Sequence, residues 1–478
     1  MSQTIGIHRL LARPGVDAVV YDVTLRIRDG RIVAIERGGG DGHDRLAMPA
    51  LVNAHDHGYG VRTLAFGALD DALEPWIAGL RLRPMVDPYL ECLVAFARMA
   101  EAGIGATMHC HNSQNAERLV EEAAGVVRAA REVGIRLALS CPILDRNAWV
   151  YGGPEALRPF LDQADWQSLA PSIPRHAPAE DQLARVEAVA AAHAGPGVNV
   201  QYGPIGPQWC ADRTLALIAE ASAQTGRRVH MHLLESRRQR AWLDRTYPQG
   251  IVRFLDQIGL LSPRLAVAHG VWLRKDECAL LAERGVTVVS NPSANLRLRS
   301  GVAPLADLLA AGTPVAFGLD GTALDDDQDL LRELRLARLL HGGTGLAAGL
   351  GPERLWQAAL IEGARVIDGA SDRGVLAPGM AADILLLDYA RMASDVLDQT
   401  AAVNEILLAR ASARHVQGLI VGGREIMRDG ALLTVDRASA ERELLLKARA
   451  DWSGRDDERR SVFALQQAIR RCYQALEM

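Results

Sequence analysis

The sequence predicts an α/β protein in which eight β/α units close into a barrel and both chain ends build one small β domain. Three observations support this prediction. Short apolar runs alternate with helical stretches through the middle of the chain, there are eight such units, and both ends consist of strand-like runs separated by turns. With 478 residues, the chain is long enough for one large domain and a satellite.

Residues 1–48 begin with β structure. Between residues 19 and 35, apolar and polar residues alternate, and Asp29-Gly30 stands at a turn between two strand-like runs. This pattern is typical of a β-hairpin. We assign residues 1–48 to the N-terminal part of a small β-sandwich domain.

Residues 49–372 contain the repeated β/α unit. The predicted barrel strands are 46–52, 105–109, 136–140, 198–202, 228–233, 265–269, 286–290 and 314–319. The predicted helices between them are 89–103, 116–134, 179–194, 214–226, 275–285 and 302–312. A doubly wound sheet would give a similar pattern, but eight units favour closure into a (β/α)8, or TIM, barrel.

The chain ends with a second β region and a helical extension. After a helical segment at 352–368, residues 373–436 contain turn-separated strands, which we expect to complete the β-sandwich domain. Residues 437–478 interleave charged and apolar side chains. This pattern predicts helices that pack on the barrel or on a neighbouring subunit.

Composition limits the expected partners. The net charge of −5 and the pI near 6.2 provide no positive field for nucleic acid or an anionic membrane, so we expect a small-molecule substrate. The six cysteines form no CxxC pair, and no segment has the pattern of an export signal or a membrane span. We therefore expect a cytoplasmic protein with reduced thiols. We expect no nucleic-acid or membrane partner, and whether the protein is a monomer or a homo-oligomer is left open.

The string MPALVNAHDHGYG places two histidines just after an apolar run. His55 and His57 are two residues apart, so on a strand their side chains share one face, while Asp56 faces the other way and is expected to be structural. Two imidazoles on one rigid strand suit a zinc-like cation. Alone, such a pair is a chance or surface feature about as often as it is a metal site.

Three further strings end at predicted strand ends. VHMHLLES contains His230, His232 and Glu235, LAVAHGVWL ends its strand with His269, and VAFGLDG ends its strand with Asp320. His232 is the third ligand candidate, and Glu235 can act as a general acid or base. His230 lies deeper in the barrel, where hydrogen bonding to neighbouring side chains is the simpler interpretation. A single strand-end His or Asp is more often a cap than a ligand.

The shared position of these residues changes that balance. They fall at the carboxyl ends of predicted strands one, five, six and eight, where barrel enzymes place their sites. Three imidazoles and one carboxylate leave room for a water molecule on the metal, and its pKa falls toward neutrality. The pattern therefore predicts a metal-dependent hydrolase.

This ordered set of motifs resembles the amidohydrolase superfamily, within its cytosine deaminase-like branch of chlorohydrolases and aminohydrolases. The resemblance covers about residues 19–430 and rests on MPALVNAHDH, HMHLLES, AHGVWL, SNPSANLRLRSG and GLDGTALDDDQDLLRELRLA. It implies one divalent metal ion, most often zinc and in some members iron, with the ligands His55, His57, His232 and Asp320. The fourth-strand region VNVQYGPIGPQWC contains no lysine that could bridge two metals, which favours a single ion.

The resemblance also implies catalytic roles. Asp320 would take a proton from the attacking water, His269 would stabilise the developing charge, and Glu235 would pass a proton to a ring or leaving nitrogen. The expected reaction is hydrolytic deamination of an amino-substituted nitrogen heterocycle. Hydrolysis of an amide, urea, carbamate or halide would use the same residues, and a catalytically silent metal-binding scaffold is a third alternative. The H-x-E and P-C-x-x-C signatures of zinc nucleic-acid deaminases are absent.

The substrate pocket departs from the branch. Many relatives have a Pro-His-Ala turn after strand four whose His contacts substrate, whereas this chain has Gly203-Pro204-Ile205-Gly206. The candidate substrate-binding residues are Trp76, His109, His111, Gln208, Trp209, Asn295 and Asp325. For Trp76, a place in the core is an equal alternative, and Asn295 is expected to brace its loop. Asp325 belongs to an acidic run at a helix start, where stabilisation of the helix is the favoured interpretation.

Overall fold

The computed structural model describes residues 2–40, 43–321, 323–398 and 403–477. Its strands are β1 Ser2–Leu10, β2 Val20–Arg28, β3 Arg31–Arg37, β4 Arg45–Pro49, β5 Leu51–Asp56, β6 Ile104–Cys110, β7 Arg136–Ile143, β8 Val198–Pro204, β9 Val229–Leu233, β10 Leu265–His269, β11 Thr287–Ser290, β12 Val315–Phe317, β13 Gly343–Thr344, β14 Ala347–Ala348, β15 Ile384–Asp388, β16 Val416–Val421, β17 Arg424–Arg428 and β18 Ala431–Leu432.

The α-helices are α1 Leu73–Gly79, α2 Pro88–Glu101, α3 Leu119–Val133, α4 Gln163–Leu169, α5 Ala179–His193, α6 Asp212–Thr225, α7 Arg237–Thr246, α8 Ile251–Gln257, α9 Lys275–Glu283, α10 Pro292–Arg297, α11 Leu305–Ala311, α12 Leu330–His341, α13 Pro352–Gln357, α14 Gly363–Asp368, α15 Tyr389–Met392, α16 Val403–Arg410, α17 Arg437–Trp452 and α18 Asp456–Glu477. Single 3-10 turns span Thr63–Phe66, Leu80–Leu82, Ala116–Arg118, Pro154–Phe160, Ala170–Ser172 and Ala413–His415, and a π-turn, Ala358–Glu362, joins α13 to α14.

Strands β5 to β12 form the barrel. They are neighbours in chain order, and the pairs whose register is resolved, from β5–β6 to β11–β12, are parallel. The barrel closes where the backbone N–H groups of Leu319 and Asp320, just after β12, donate to the His55 carbonyl at 3.0 and 2.9 Å. Every residue of β5, β6, β9 and β10 is buried, which is typical of parallel strands covered on both faces. The predicted (β/α)8 barrel is confirmed.

Two predicted elements are wrong in their bounds. The predicted first barrel strand, 46–52, is two strands separated at Ala50, because β4 belongs to the second sheet and only β5 enters the barrel. Both pieces are buried, so the apolar run does not mark the change of sheet. The predicted helix 302–312 begins only at Leu305, with Pro304 as its N-cap.

The remaining long sheet joins both chain ends. Its strand order is β18-β17-β16-β15-β4-β1-β2-β3, and β15 pairs antiparallel with β4, so the two ends meet at that contact. The β2–β3 hairpin turns at Asp29 and Gly30, as the sequence predicts, and their φ angles of 50° and 76° are those of a type I′ turn. The small β domain built from both ends is confirmed, while the three boundaries between the four predicted segments stay predictions.

The C-terminal extension is helical, as predicted, and packs on the barrel. Leu465 and Ile469 on α18 are fully buried against the loop that precedes α4 and against α1. Tyr473 accepts a hydrogen bond from the Tyr151 backbone N–H at 3.0 Å. Among the described helices, none combines the length and apolar character needed to cross a membrane.

The packing of α18 gives a stability prediction. Leu465→Ala should lower the free energy of unfolding by about 2–5 kcal/mol, because it leaves a cavity in a fully buried position. Phe463→Ala on the same helix is the control: its side chain is 62% exposed, so we expect a change of about 0.5 kcal/mol or less. Urea unfolding of both variants measures this, and equal effects would contradict the packing.

Candidate metal centre and active site

Four side chains converge at the carboxyl ends of the barrel strands. His55 lies on β5, His57 follows that strand, His232 lies on β9, and Asp320 follows β12. One nitrogen or oxygen atom of each lies within 4.8 Å of those of the others. Asp320 Oδ1 lies 3.0 Å from His55 Nε2 and 3.2 Å from His57 Nε2, and His57 Nε2 lies 3.3 Å from His232 Nε2. The structure thus brings together the four residues predicted as ligands.

Hydrogen bonds outside this cluster orient two of the rings. His57 Nδ1 donates to the Cys110 carbonyl at 3.1 Å, and His232 Nδ1 donates to the Ile205 carbonyl at 2.7 Å. These bonds place the ring proton on Nδ1, so the Nε2 lone pairs face the centre. Burial lowers the pKa of His232 well below its ordinary value, which keeps the ring neutral.

Asp320 carries the negative charge of the cluster. Burial raises the pKa of its carboxyl, but the adjacent side chains of His55 and His57 outweigh burial and hold the pKa well below the ordinary value. The carboxylate is therefore ionised beside the imidazole nitrogens.

This donor set fits a divalent metal ion. His55 Nε2 is fully buried and has no hydrogen-bond partner within the described part of the chain, although it faces the other donors. Buried lone pairs that face one another are unfavourable unless a cation lies between them. Three nitrogens and one carboxylate oxygen match the ligands that zinc and similar cations take in proteins.

Backbone conformation at the strand ends helps to position these groups. His269 and Asp320 have φ angles of 74° and 59°, which are left-handed and unfavourable for side chains of their kind. A Cβ atom on Gly318 would lie 2.7 Å from the His55 backbone nitrogen. Glycine is therefore required where β12 closes against β5, and that approach brings Asp320 to the two histidines.

Glu235 and His269 lie beside the cluster and not within it. His269 Nδ1 donates to Asn295 Oδ1 at 2.9 Å, while its Nε2 lies 3.7 Å from Glu235 Oε2 and 4.0 Å from Asp320 Oδ2. Burial lowers the pKa of His269 to about 4. Burial raises the pKa of Glu235 well above its ordinary value, and the charges of Asp320 and Glu74 raise it further. The pair thus combines a neutral imidazole with a protonated carboxyl.

Some predicted substrate residues contact protein groups instead. His109 and His111 form a buried chain, with His109 Nε2 3.3 Å from His111 Nδ1 and His111 Nε2 2.8 Å from Glu122 Oε2. Asn295 orients His269, as described above. Asp325 is exposed and forms an ion pair with Arg332.

The other three predicted substrate residues are Trp76, Gln208 and Trp209, of which Trp209 is only partly buried. Trp76 is 6% exposed and belongs to the main hydrophobic core on α1. Trp209 lies near the aromatic ring of Tyr151, with ring centroids 6.0 Å apart. Gln208 is fully buried. His111 also lines a small cavity next to His232.

Sequence reasoning missed one group, Glu74, and left the partner of another, His230, unnamed. Glu74 on α1 is buried and accepts hydrogen bonds from Ser236, next to Glu235, and from the Tyr151 hydroxyl at 3.2 Å. Only its position two residues before Trp76 could have suggested a role. His230 was interpreted as satisfied by a neighbouring side chain, and that neighbour is His55: His230 Nε2 lies 2.8 Å from His55 Nδ1.

Asp56 lies on the opposite face of its strand, as predicted. It accepts hydrogen bonds from Asn53 Nδ2 at 2.8 Å and from the Gly58 backbone N–H at 2.6 Å. Burial raises its pKa to about 6. Asp56 thus ties the end of β5 to the loop that follows.

A (β/α)8 barrel that gathers three histidines and an aspartate at its strand ends has the arrangement of a metal-dependent hydrolase. The chain belongs to the amidohydrolase family, which matches it over residues 46–426. The family predicted from the motifs is therefore confirmed.

Curated relatives are identical to the chain at more than a quarter of the aligned positions. A 5'-deoxyadenosine deaminase of Methanosarcina mazei is 28% identical over 88% of this chain and 88% of its own length. A 5-methylthioadenosine/S-adenosylhomocysteine deaminase of Pyrococcus furiosus is 29% identical over 88% of this chain and 91% of its own.

Solved structures share the fold. An adenosine deaminase from Xanthomonas campestris with bound zinc superposes with a TM-score of 0.76 at 24% identity, covering 94% of this chain and 98% of that one. The atrazine chlorohydrolase of Arthrobacter aurescens, complexed with zinc, gives 0.75 at 21% identity over 93% and 99%.

The contact between His230 and His55 gives a prediction about metal affinity. His230→Ala should weaken zinc binding about 10–100-fold, because His55 loses the acceptor that keeps its proton on Nδ1 and its Nε2 free. His230→Gln retains an acceptor and should recover most of the affinity. Competition with a chromophoric chelator measures both variants, and equal affinities for wild type and His230→Ala would rule out this role.

Proposed function

We propose that this protein is a metal-dependent aminohydrolase that removes an amino group from a nitrogen heterocycle as ammonia. The observation that carries the proposal is the placement of Glu235 and His269 next to a cluster of three imidazoles and Asp320. The curated relatives are named as deaminases of adenine-containing nucleosides, so nucleosides of that kind are the first substrates to test.

Four residues would hold one divalent ion, most favourably zinc: His55, His57, His232 and Asp320. A bound ion supplies a water molecule whose pKa is lowered toward neutrality, so that it attacks at pH 7. His230, the Cys110 carbonyl and the Ile205 carbonyl hold the three imidazoles by their Nδ1 atoms. The protein therefore supplies both the donors and their orientation.

A second cluster, His55, Cys110 and His230, is better explained by hydrogen bonding than by a second ion. Ligands of a tetrahedral zinc lie roughly 3.3 Å apart, whereas His55 Nδ1 lies 2.8 Å from His230 Nε2. Burial also raises the pKa of the Cys110 thiol well above its ordinary value, which disfavours the thiolate that a metal needs.

The remaining residues move protons. Asp320, which is ionised, accepts a proton from the attacking water, and His269 Nε2, whose ring proton is held on Nδ1 by Asn295, accepts a hydrogen bond from that water. Glu235 donates its proton to the ring nitrogen next to the carbon under attack, which makes that carbon more electrophilic. Oxygen then adds to the carbon, the proton from Asp320 reaches the amino nitrogen, the C–N bond breaks, and ammonia leaves. The remaining hydroxyl proton returns to Glu235 as the product carbonyl forms.

Hydrolysis of an amide, urea, carbamate or halide is the alternative, because the same residues would serve it. The names of the curated relatives favour deamination. A small-molecule substrate and a cytoplasmic location fit this activity, and a homo-oligomer stays a prediction.

Metal analysis tests the centre directly. Purified protein should contain about one zinc or iron ion per chain, and removal of the ion should abolish activity and lower thermal stability, because the ion binds the folded chain. His57→Ala should lose the ion. Metal-free protein with undiminished activity would exclude the proposed centre.

Replacement of Glu235 tests the proton transfer. Glu235→Gln should lower kcat for ammonia release by about 10²–10⁴-fold, because an amide cannot donate a carboxyl proton, and metal content should not change. Ammonia release from 5'-deoxyadenosine, 5'-methylthioadenosine, guanine, cytosine, aminotriazines and simple amides measures this. Glu220→Gln, at an exposed position on α6, is the control. Wild-type turnover by Glu235→Gln would disprove its role.

A further inference from the structure

Gln208 is a buried polar side chain without partners. It follows β8, the fourth barrel strand, and its exposure is 0%. Neither Oε1 nor Nε2 of its amide has a hydrogen-bond partner among the residues that the structure describes. Buried amides in folded proteins are almost always hydrogen-bonded, so an unpaired one points to a group that binds there.

Gly206 provides the space that this amide occupies. A Cβ atom on Gly206 would lie 2.8 Å from Gln208 Nε2 and 3.0 Å from Gln208 Oε1. The φ angle of Gly206 is outside the left-handed region, so its backbone conformation does not require glycine. Glycine at this position is therefore explained by the Gln208 amide, which occupies the space that a side chain would need.

The loop that carries Gln208 contacts both the metal centre and the Glu74 network. Gly206 directly follows Ile205, whose carbonyl accepts the hydrogen bond from His232 Nδ1 at 2.7 Å. On the other side, Trp209 stands near Tyr151, whose hydroxyl donates to Glu74.

The backbone that carries this amide is fixed. Asn147 Nδ2 donates to the Gln208 carbonyl at 2.6 Å, and the Trp209 carbonyl accepts from the Asp145 backbone N–H at 2.9 Å. The loop is thus held at both residues, which leaves the amide of Gln208 positioned in advance for a ligand.

We propose that the Gln208 amide is the specificity-determining group for the substrate ring and that Gly206 is glycine in order to admit it. A carboxamide presents one acceptor and two donors side by side. It therefore pairs with a ring edge that has an acceptor atom beside an N–H or amino donor: a ring nitrogen beside an amino group in a cyclic amidine, or a carbonyl oxygen beside an N–H in a lactam. This inference rests on the proposed deaminase function and narrows its substrates to neutral fused or single rings with such an edge.

Two variants of the metal-loaded enzyme test this inference. Gln208→Leu removes the amide and keeps a side chain of similar volume. Gly206→Ala places a methyl group in the space that the Gln208 amide occupies. With 5'-deoxyadenosine as the probe, both should lower kcat/KM about 10–100-fold, mostly through KM, because one or two hydrogen bonds to the ring are lost. Metal content should be unchanged. Gln224→Leu, at an exposed position on α6, is the control.

A structural role for Gln208 would give a different result. If the amide only supports the loop, Gln208→Leu should lower the thermal midpoint and leave KM unchanged. If the amide binds substrate and makes no contact in the free enzyme, the thermal midpoint of Gln208→Leu should stay equal or rise, because an unpaired buried amide has been removed. Unchanged KM for both variants on every ring that the wild type converts would overturn the inference while leaving the deaminase function intact.

Binding without turnover separates this inference from the proposed function. Calorimetric titration of Glu235→Gln and of Glu235→Gln/Gln208→Leu with 5'-deoxyadenosine, adenine and cytosine compares dissociation constants directly. A weaker constant in the double variant supports ring recognition even if the wild type releases no ammonia, a result that would reject only the deaminase assignment. Equal constants, or no binding by either protein, would overturn the role of Gln208.

Discussion

The closure of the barrel between its first and last strands determines the rest of the site. Two backbone N–H groups after β12 donate to the His55 carbonyl, and Gly318 allows the two strands to approach without a side chain between them. This contact joins residues 265 positions apart, from His55 to Asp320. Without closure, the carboxylate and the paired histidines would belong to opposite edges of an open sheet.

The hydrogen bonds around the centre are as important as its four donors. Each histidine has a partner outside the cluster: His230 for His55, the Cys110 carbonyl for His57, and the Ile205 carbonyl for His232. These partners fix which nitrogen carries the proton and therefore which one can bind a cation. Two of them are backbone carbonyls, so barrel geometry itself orients the rings.

A second network links the C-terminal helix to the region of Glu235. Tyr473 on α18 contacts Tyr151, Tyr151 donates to Glu74, and Glu74 accepts from Ser236. The extension thus packs against a loop that holds groups close to the site, although α18 lies outside the residues that match the family. Two tyrosines, Tyr473 and Tyr151, therefore connect α18 to Glu74 near the site.

The sequence by itself determined the class of fold and predicted the candidate metal donors. Strand periodicity put His55 and His57 on one face, and the spacing of apolar runs put His232, His269 and Asp320 at strand ends, because both patterns depend on neighbours within a few residues. Tertiary structure decided what the sequence could not. The division of residues 46–52 between two sheets, the pairing of His230 with His55, and the burial of Glu74 and Gln208 all depend on contacts between segments far apart in the chain. Such contacts leave no local pattern, since a buried carboxylate or amide has the same sequence neighbours as an exposed one.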